Sequence, residues 1–198
     1  MIGKINADVE QHPFKPFLPP KAKVLILGSF PPPEKRWSIN FYYPNLQNDF
    51  WRICGLIFFG NKEYFLMPDA KAFNLNTIIA FLEEKGIAMY DTATAVKRLK
   101  NNASDNFLEI IKTTDVASLL DKMPLCQAIA VTGGKATDLL LPQFHIMQPP
   151  KVGGNVPFVY NDRDMQLYRL PSSSRAYPLP LIKKTSTYRK MFDELGIH

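Results

Sequence analysis

Cysteine is scarce in this chain and carries no pattern. The two present, Cys54 and Cys126, lie far apart on apolar runs, and neither belongs to a C-x-x-C pair, which argues against a zinc site or an iron–sulfur cluster. Histidine is nearly as sparse. His12, His145 and His198 show no metal-ligand spacing, and no G-x-S-x-G elbow accompanies them, so each reads as structural or exposed. No G-x-x-x-x-G-K-[ST] stretch occurs, so a P-loop phosphate site is not expected. No apolar run approaches the ~20 residues of a membrane span. The opening stretch MIGKINADVEQHPFKPF lacks an apolar signal core, so a cytoplasmic protein is expected, with the sequon Asn102-Ala103-Ser104 occurring by chance. There is neither an internal repeat nor a low-complexity tract.

What is present suits a folded protein of ordinary make. The 198 residues are 46% hydrophobic, enough for one compact domain over 1–198 with a sizeable core. The net charge of +6 permits a polyanionic partner without demanding one. Residues 1–22 are Pro-rich and without periodicity, and read as an N-terminal arm.

Beyond the arm, KVLILGSF contains four continuous apolar residues, Val24 to Leu27, as in a strand covered on both faces. Apolar residues at helical spacing predict a helix over 48–59. A second helix is expected over about 69–85, ending at Gly86. Ile87–Asp91 reads as a strand, TATAVKRLKNN as a loop, and SDNFLEIIK as a helix capped by Ser104. A short helix follows in DVASLLDKM. Ala128–Gly134 is a third buried strand running into the helix KATDLLLP. VPFVYNDRDMQLYRLP alternates around Asn161–Asp164, as in a hairpin, and LPLIKKTSTYRKMFDEL is a closing amphipathic helix. Strands alternating with helices imply an α/β fold, a three-layer αβα arrangement with a central, mostly parallel sheet. Ligands of such sheets bind outside the carboxyl ends of the strands. The loops GSFPPPE, YDTATA, VTGGKA and LPSSSRAYP should then share one edge, with FYYPNLQN continuing the first.

These loops hold the candidate site. Gly28, Ser29 and Phe30 offer close backbone approach and amide donors, or form a plain turn. FYYPNLQNDFW crowds five aromatics and two asparagines into eleven residues. Within it, Tyr43 is a stacking platform or packing, and Asn48 a water-positioning amide or a helix cap. Asp91 ends a buried strand, where a carboxylate either caps its loop or reads a ligand. Ser172, Ser173 and Ser174, followed by Arg175, suit phosphate oxygens, or make an ordinary Ser-rich turn. Lys183, Lys184 and Arg189 lie on the polar face of the last helix, beside that serine loop.

In order along the chain, Gly28-Ser29-Phe30-Pro31, Tyr42-Tyr43…Asn48-Asp49-Phe50-Trp51, Gly86 to Asp91, Thr132 to Ala136 and Leu170 to Ala176 resemble the motifs of the uracil-DNA glycosylase superfamily. The likeness covers roughly residues 23–192 and is closest to the hypoxanthine-DNA glycosylase-like branch, with kinship to the mismatch-specific thymine/uracil glycosylases. The chain departs from that branch at Asn45-Leu46, where the branch has His-Pro; at Thr132-Gly133, where it has asparagine before glycine; and at Arg175, where it has proline. The resemblance implies a monofunctional glycosylase, without metal or organic cofactor, acting as a monomer on DNA. It would flip a deaminated base, uracil or hypoxanthine, out of the duplex and hydrolyse its N-glycosidic bond in base excision repair. Tyr43 would stack the base and Asn48 hold the water. Amides near Ser29 and Phe30 would take charge building on the leaving base, and Asp91 would accept a ring N–H. The serine loop and Arg175 would grip the strand. The alternatives are a weak or inactive nucleic-acid-binding relative, for which the departures speak, and an α/β hydrolase or nucleotide-modifying enzyme, for which no triad is present.

Overall fold

The computed structural model describes residues 9–99 and 107–198. Three short runs form one half of its larger sheet: β2 (Val24–Gly28), β3 (Ile87–Asp91) and β6 (Ala128–Thr132), every residue of which is buried. Successive side chains of a strand point to opposite faces, so both faces of the sheet are covered there. β2 pairs in parallel with β3 on one side and β6 on the other. β6 pairs in parallel with β8 (Arg163–Leu170), and β7 (Asn155–Tyr160) closes the sheet antiparallel to β8, giving the order β3-β2-β6-β8-β7. The β7–β8 hairpin turns through Asn161 (φ 47°) and Asp162 (φ 59°), two residue types that tolerate the left-handed region a tight hairpin needs.

The helices begin and end on recognisable residues. α1 (Phe50–Phe59) stops at Gly60, φ 64°, and α2 (Leu75–Lys85) stops at Gly86, φ 67°. α2 starts later than its apolar spacing implies, at 75 rather than 69, because the Asn74 side chain accepts the Thr77 amide at 3.2 Å and so caps it. α3 (Val116–Leu120) and α4 (Gly134–Leu140) flank β6, and α5 (Leu181–Glu194) follows β8 and packs against α1. β6 ends at Thr132, since Gly133 (φ 101°) already turns the chain into α4.

Two expectations fail between β3 and β6. The stretch read as a loop forms β4 (Ala93–Arg98), and the stretch read as a helix forms β5 (Leu108–Thr113); Ser104, its expected cap, lies outside the described residues. β4 and β5 pair antiparallel, and β1 (Val9–Gln11) joins β4 to make a small second sheet, β1-β4-β5. Phe30, Ala93, Val96 and Leu108 form its own buried cluster. The two isoleucines of LEIIKT favour this pleated surface, and six residues are too few for periodicity to distinguish strand from helix.

The arm runs on from β1 across the first sheet. His12 donates its amide to Thr94 O at 2.8 Å, and Phe17 exchanges two backbone hydrogen bonds with Met89 (3.0 and 2.9 Å). The arm thereby covers the outer edge of β3, which would otherwise present unpaired backbone groups. Cys54 and Cys126 are buried free thiols. No helix among the described residues is long and apolar enough to cross a membrane.

Candidate functional site

Because β2, β3, β6 and β8 are parallel, Gly28, Asp91, Thr132 and Leu170 end side by side, in register. A cavity of about 480 Å³ opens at this edge, a size ordinary for a small-ligand site. Its lining comes from the turn after β2, from 42–48, from Asp91 and Thr132, and from the serine loop 172–176. Gly28, Ser29, Phe30, Tyr43, Asn48, Asp91, Ser172, Ser173, Ser174 and Arg175 all line it.

The floor is built by close approach. A Cβ added to Gly28 would collide with Asp91 Oδ1 and come within 3.6 Å of Tyr43 Oη. Only glycine therefore lets the Asp91 carboxylate lie where it does over β2. Tyr43 adopts φ 49°, an uncommon conformation for an aromatic residue. Its ring stacks on Phe50, with centroids 4.0 Å apart and planes 8° from parallel, and its hydroxyl lies 2.8 Å from Thr132 Oγ1. These contacts fix the ring in one plane at the cavity wall.

Asn48 sits just before α1. Its Oδ1 accepts the Phe50 amide at 2.9 Å in an i→i+2 turn, while the N-cap position itself falls to Asp49, whose side chain makes no capping bond. A carboxamide has a second lone pair and two N–H donors, which leaves it groups to offer the cavity. Asp49, next in sequence and 6% exposed, takes its amide hydrogen bond to Ser173 O at 2.9 Å and so ties α1 to the serine loop.

The serine loop is held from beneath by α5. Lys184 and Tyr188 are one helical turn apart and share a face. Lys184 Nζ donates to Ser174 O at 2.7 Å and Tyr188 Oη to Pro171 O at 2.9 Å. Burial holds the Tyr188 phenol far above its ordinary pKa, so it remains a donor. Within the loop, Ser174 N donates to Ser172 Oγ, Ala176 N to Ser174 Oγ, and Arg175 N to Gln47 O. These amides are thus occupied in shaping the loop, and the Ser172 and Ser174 hydroxyl hydrogens are what it can turn outward.

Lys184 corrects an expectation. It does not lie on the solvated face of α5: its side chain is 1% exposed and 3.7 Å from Asp49 Oδ2. Burial lowers its pKa and Asp49 partly offsets this. A group so enclosed cannot meet a phosphate. Lys183 is exposed, while Arg189 donates to Leu56 O at 3.2 Å, linking α5 to α1. Neither lines the cavity. Arg175 reaches the rim half-exposed, with Nε on Asp49 Oδ1 at 2.9 Å and Nη1 on Gln47 Oε1 at 3.3 Å.

Sequence reasoning missed His12. Its Nε2 lies 3.0 Å from Asp91 Oδ2. A lone histidine between proline-rich neighbours has no local signal, and its partner is 79 residues away. Among the described residues, no group of three His, Cys, Asp or Glu side chains is placed to hold a metal ion.

No protein-family model matches this chain, and no curated protein matches it. Among solved structures, an NMR structure of a Methanosarcina acetivorans protein, described as "a putative Uracil DNA glycosylase", is similar with a TM-score of 0.64. The match covers 96% of this chain and 99% of that one at 22% identity. A likeness at that identity shows a shared α/β fold.

Proposed function

We propose that this chain is a monofunctional DNA glycosylase of the uracil-DNA glycosylase kind, which excises uracil or hypoxanthine from DNA. One observation carries the reading: the fixed ring of Tyr43, the Asp91 carboxylate and the Asn48 carboxamide converge on a single cavity of about 480 Å³ at the carboxyl edge of a parallel sheet. A flipped base needs those three things, a π-face, a polar partner for its edge, and a held water. The fold shared with the archaeal protein supports the reading. Right-handed crossovers would set α1 and α2 on one face of the sheet and α3 and α4 on the other, in three layers.

In this reading the base enters between Tyr43 and the loop at Ser29 and Phe30. The N-glycosidic bond breaks as the sugar gains oxocarbenium character, and the bonding pair leaves with the base. Amides near Ser29 and Phe30 stabilise that charge. Water held by Asn48 adds to C1′ and loses its proton to solvent or to the departing base. Little base strength is needed, because the electrophile is already cationic. Ser172 and Ser174 hydroxyls, with the free donors of Arg175, contact the strand, and the chain acts as a monomer in the cytoplasm without a cofactor.

A second reading, a nucleic-acid-binding relative with little activity, is favoured by one contact: Asn48 Oδ1 is already engaged by the Phe50 amide. Oligonucleotides carrying uracil, hypoxanthine or xanthine, incubated with the protein and cleaved with alkali, separate the two. The first reading expects strand scission at uracil or hypoxanthine. Duplex binding with no scission at any lesion would establish the second instead.

The two neighbouring lysines of α5 should part company. Lys183→Met is expected to make the salt dependence of duplex binding shallower, by up to roughly one unit of slope, at unchanged stability. Lys184→Met is expected to leave the slope alone and lower folding stability by about 1–3 kcal/mol, from the hydrogen bond to Ser174 O lost in a buried place. Salt titration and urea denaturation of both variants check this; a slope change in Lys184→Met would return that residue to the nucleic-acid interface.

A further inference from the structure

The two carboxylate oxygens of Asp91 have different surroundings. Oδ2 is met by His12 Nε2 at 3.0 Å. Oδ1 sits over Gly28 and accepts no hydrogen bond from any described residue. No fully buried side-chain oxygen or nitrogen among the described residues lacks a partner. An oxygen without one is therefore accessible, and Asp91 lines the cavity.

His12 stands behind that carboxylate and outside the cavity lining. Its side chain is 3% exposed and ringed by Phe14, Phe30, Tyr42 and Tyr90. An ionised carboxylate only accepts hydrogen bonds, so Nε2 carries a hydrogen toward it. Nδ1 lies 2.9 Å from Phe14 O and 3.1 Å from Phe14 N. A neutral ring accepts there from the amide and a cationic ring donates to the carbonyl. The ring is satisfied in either state, and Nε2–H points at Asp91 in both. The segment that brings His12 is itself clamped. Arg98 holds Glu10 through two bonds of 3.0 and 2.9 Å and gives a third to Pro31 O, and Tyr42 Oη donates to Lys15 O at 2.8 Å.

From this we infer that His12 is the positioning residue for base selection: by holding Oδ2 it makes Asp91 present Oδ1, purely as an acceptor, to the ring in the cavity. The site then takes a lactam or imide edge that offers a ring N–H. It rejects a ring whose nitrogen is bare or methylated. Without His12, Asp91 would be a buried anion lacking its partner. Such a group turns toward other donors or water, and Oδ1 is then no longer held toward the ring. The substrate class rests on the glycosylase reading; the geometry does not.

The test measures binding apart from excision. The full chain is titrated by NMR with uracil against 3-methyluracil, and with hypoxanthine against 1-methylhypoxanthine. Wild type is expected to prefer the N–H form of at least one pair by roughly tenfold or more, the effect of one hydrogen bond to a charged group. His12→Leu should bring that ratio to within about twofold, whereas His12→Gln, which keeps an N–H at similar reach, should preserve it. Adding His12→Leu to Asp91→Asn should cost nothing further in the ratio, since one acts through the other. Thermal unfolding of each variant runs alongside. If His12→Leu fails to fold, loss of the ratio in Asp91→Asn and its survival in His12→Gln decide the matter. Retention of the ratio in a folded His12→Leu, its loss in His12→Gln, or no preference or no binding in wild type would each overturn the inference. Preference without excision from oligonucleotides would sink the glycosylase reading and leave this one standing; excision without preference would do the reverse.

Discussion

Asn48→Ala is expected to slow single-turnover base excision by at least ~100-fold while duplex affinity changes little. Asn48 lines the cavity and is pinned by the 2.9 Å bond from the Phe50 amide to its Oδ1. That bond fixes the carboxamide plane, so its remaining lone pair and N–H donors have one direction in which to hold water. In the proposed mechanism alanine removes the water's holder, and it leaves the serine loop undisturbed, because Asp49 N still reaches Ser173 O. The lost bond to the Phe50 amide should cost about 1 kcal/mol of stability. Quench-flow excision and thermal melts, read together, decide between the two roles. Normal turnover with only a lowered melting temperature would reduce Asn48 to a residue that starts a helix.

The second large effect is expected from one methyl group. Gly28→Ala places a Cβ against Asp91 Oδ1 and within 3.6 Å of Tyr43 Oη. β2 cannot retreat, since it lies between β3 and β6 with Gly28 and Asp91 as register partners. The carboxylate of Asp91 must swing aside, while Tyr43 Oη is left in ordinary contact. Misplacement by about an ångström costs on the order of 100-fold in rate, and overpacking costs about 1–3 kcal/mol. Single-turnover excision together with urea denaturation checks both. An alanine variant that cuts like wild type would mean that Asp91 need not hold its place over Gly28, and its part in the base pocket would fall.

The strands of the larger sheet were readable because burial on both faces leaves a continuous apolar signature, as in Val24 to Leu27 and Ala128 to Val131. Gly86 announced the end of α2, since a left-handed residue after a helix favours glycine. The small sheet was not readable. β4 and β5 are each six residues long, and β5 is mostly exposed, so neither shows a face to a periodicity argument. The cavity loops could be named because strand ends in a parallel sheet have a known direction. What each side chain does there was less legible. Lys184 sits among charged and polar neighbours in sequence, and only the approach of Asp49 and Ser174 from other elements explains its burial. His12 could not be assigned to Asp91 from a chain in which nothing local links them.

The arm has a kinetic consequence. The contacts His12–Asp91 and Glu10–Arg98 close loops of 79 and 88 residues, and long loops close late, after the local hairpins and helices have formed. Segments at a sheet's rim, whose contacts are all of long range, also open before the central strands on warming. The pocket floor should therefore mature as one of the last events of folding and loosen as one of the first of unfolding. Hydrogen exchange at His12 and Phe17 would then outpace exchange in β2 and β6. Recognition would fade at temperatures where circular dichroism still reports an intact sheet.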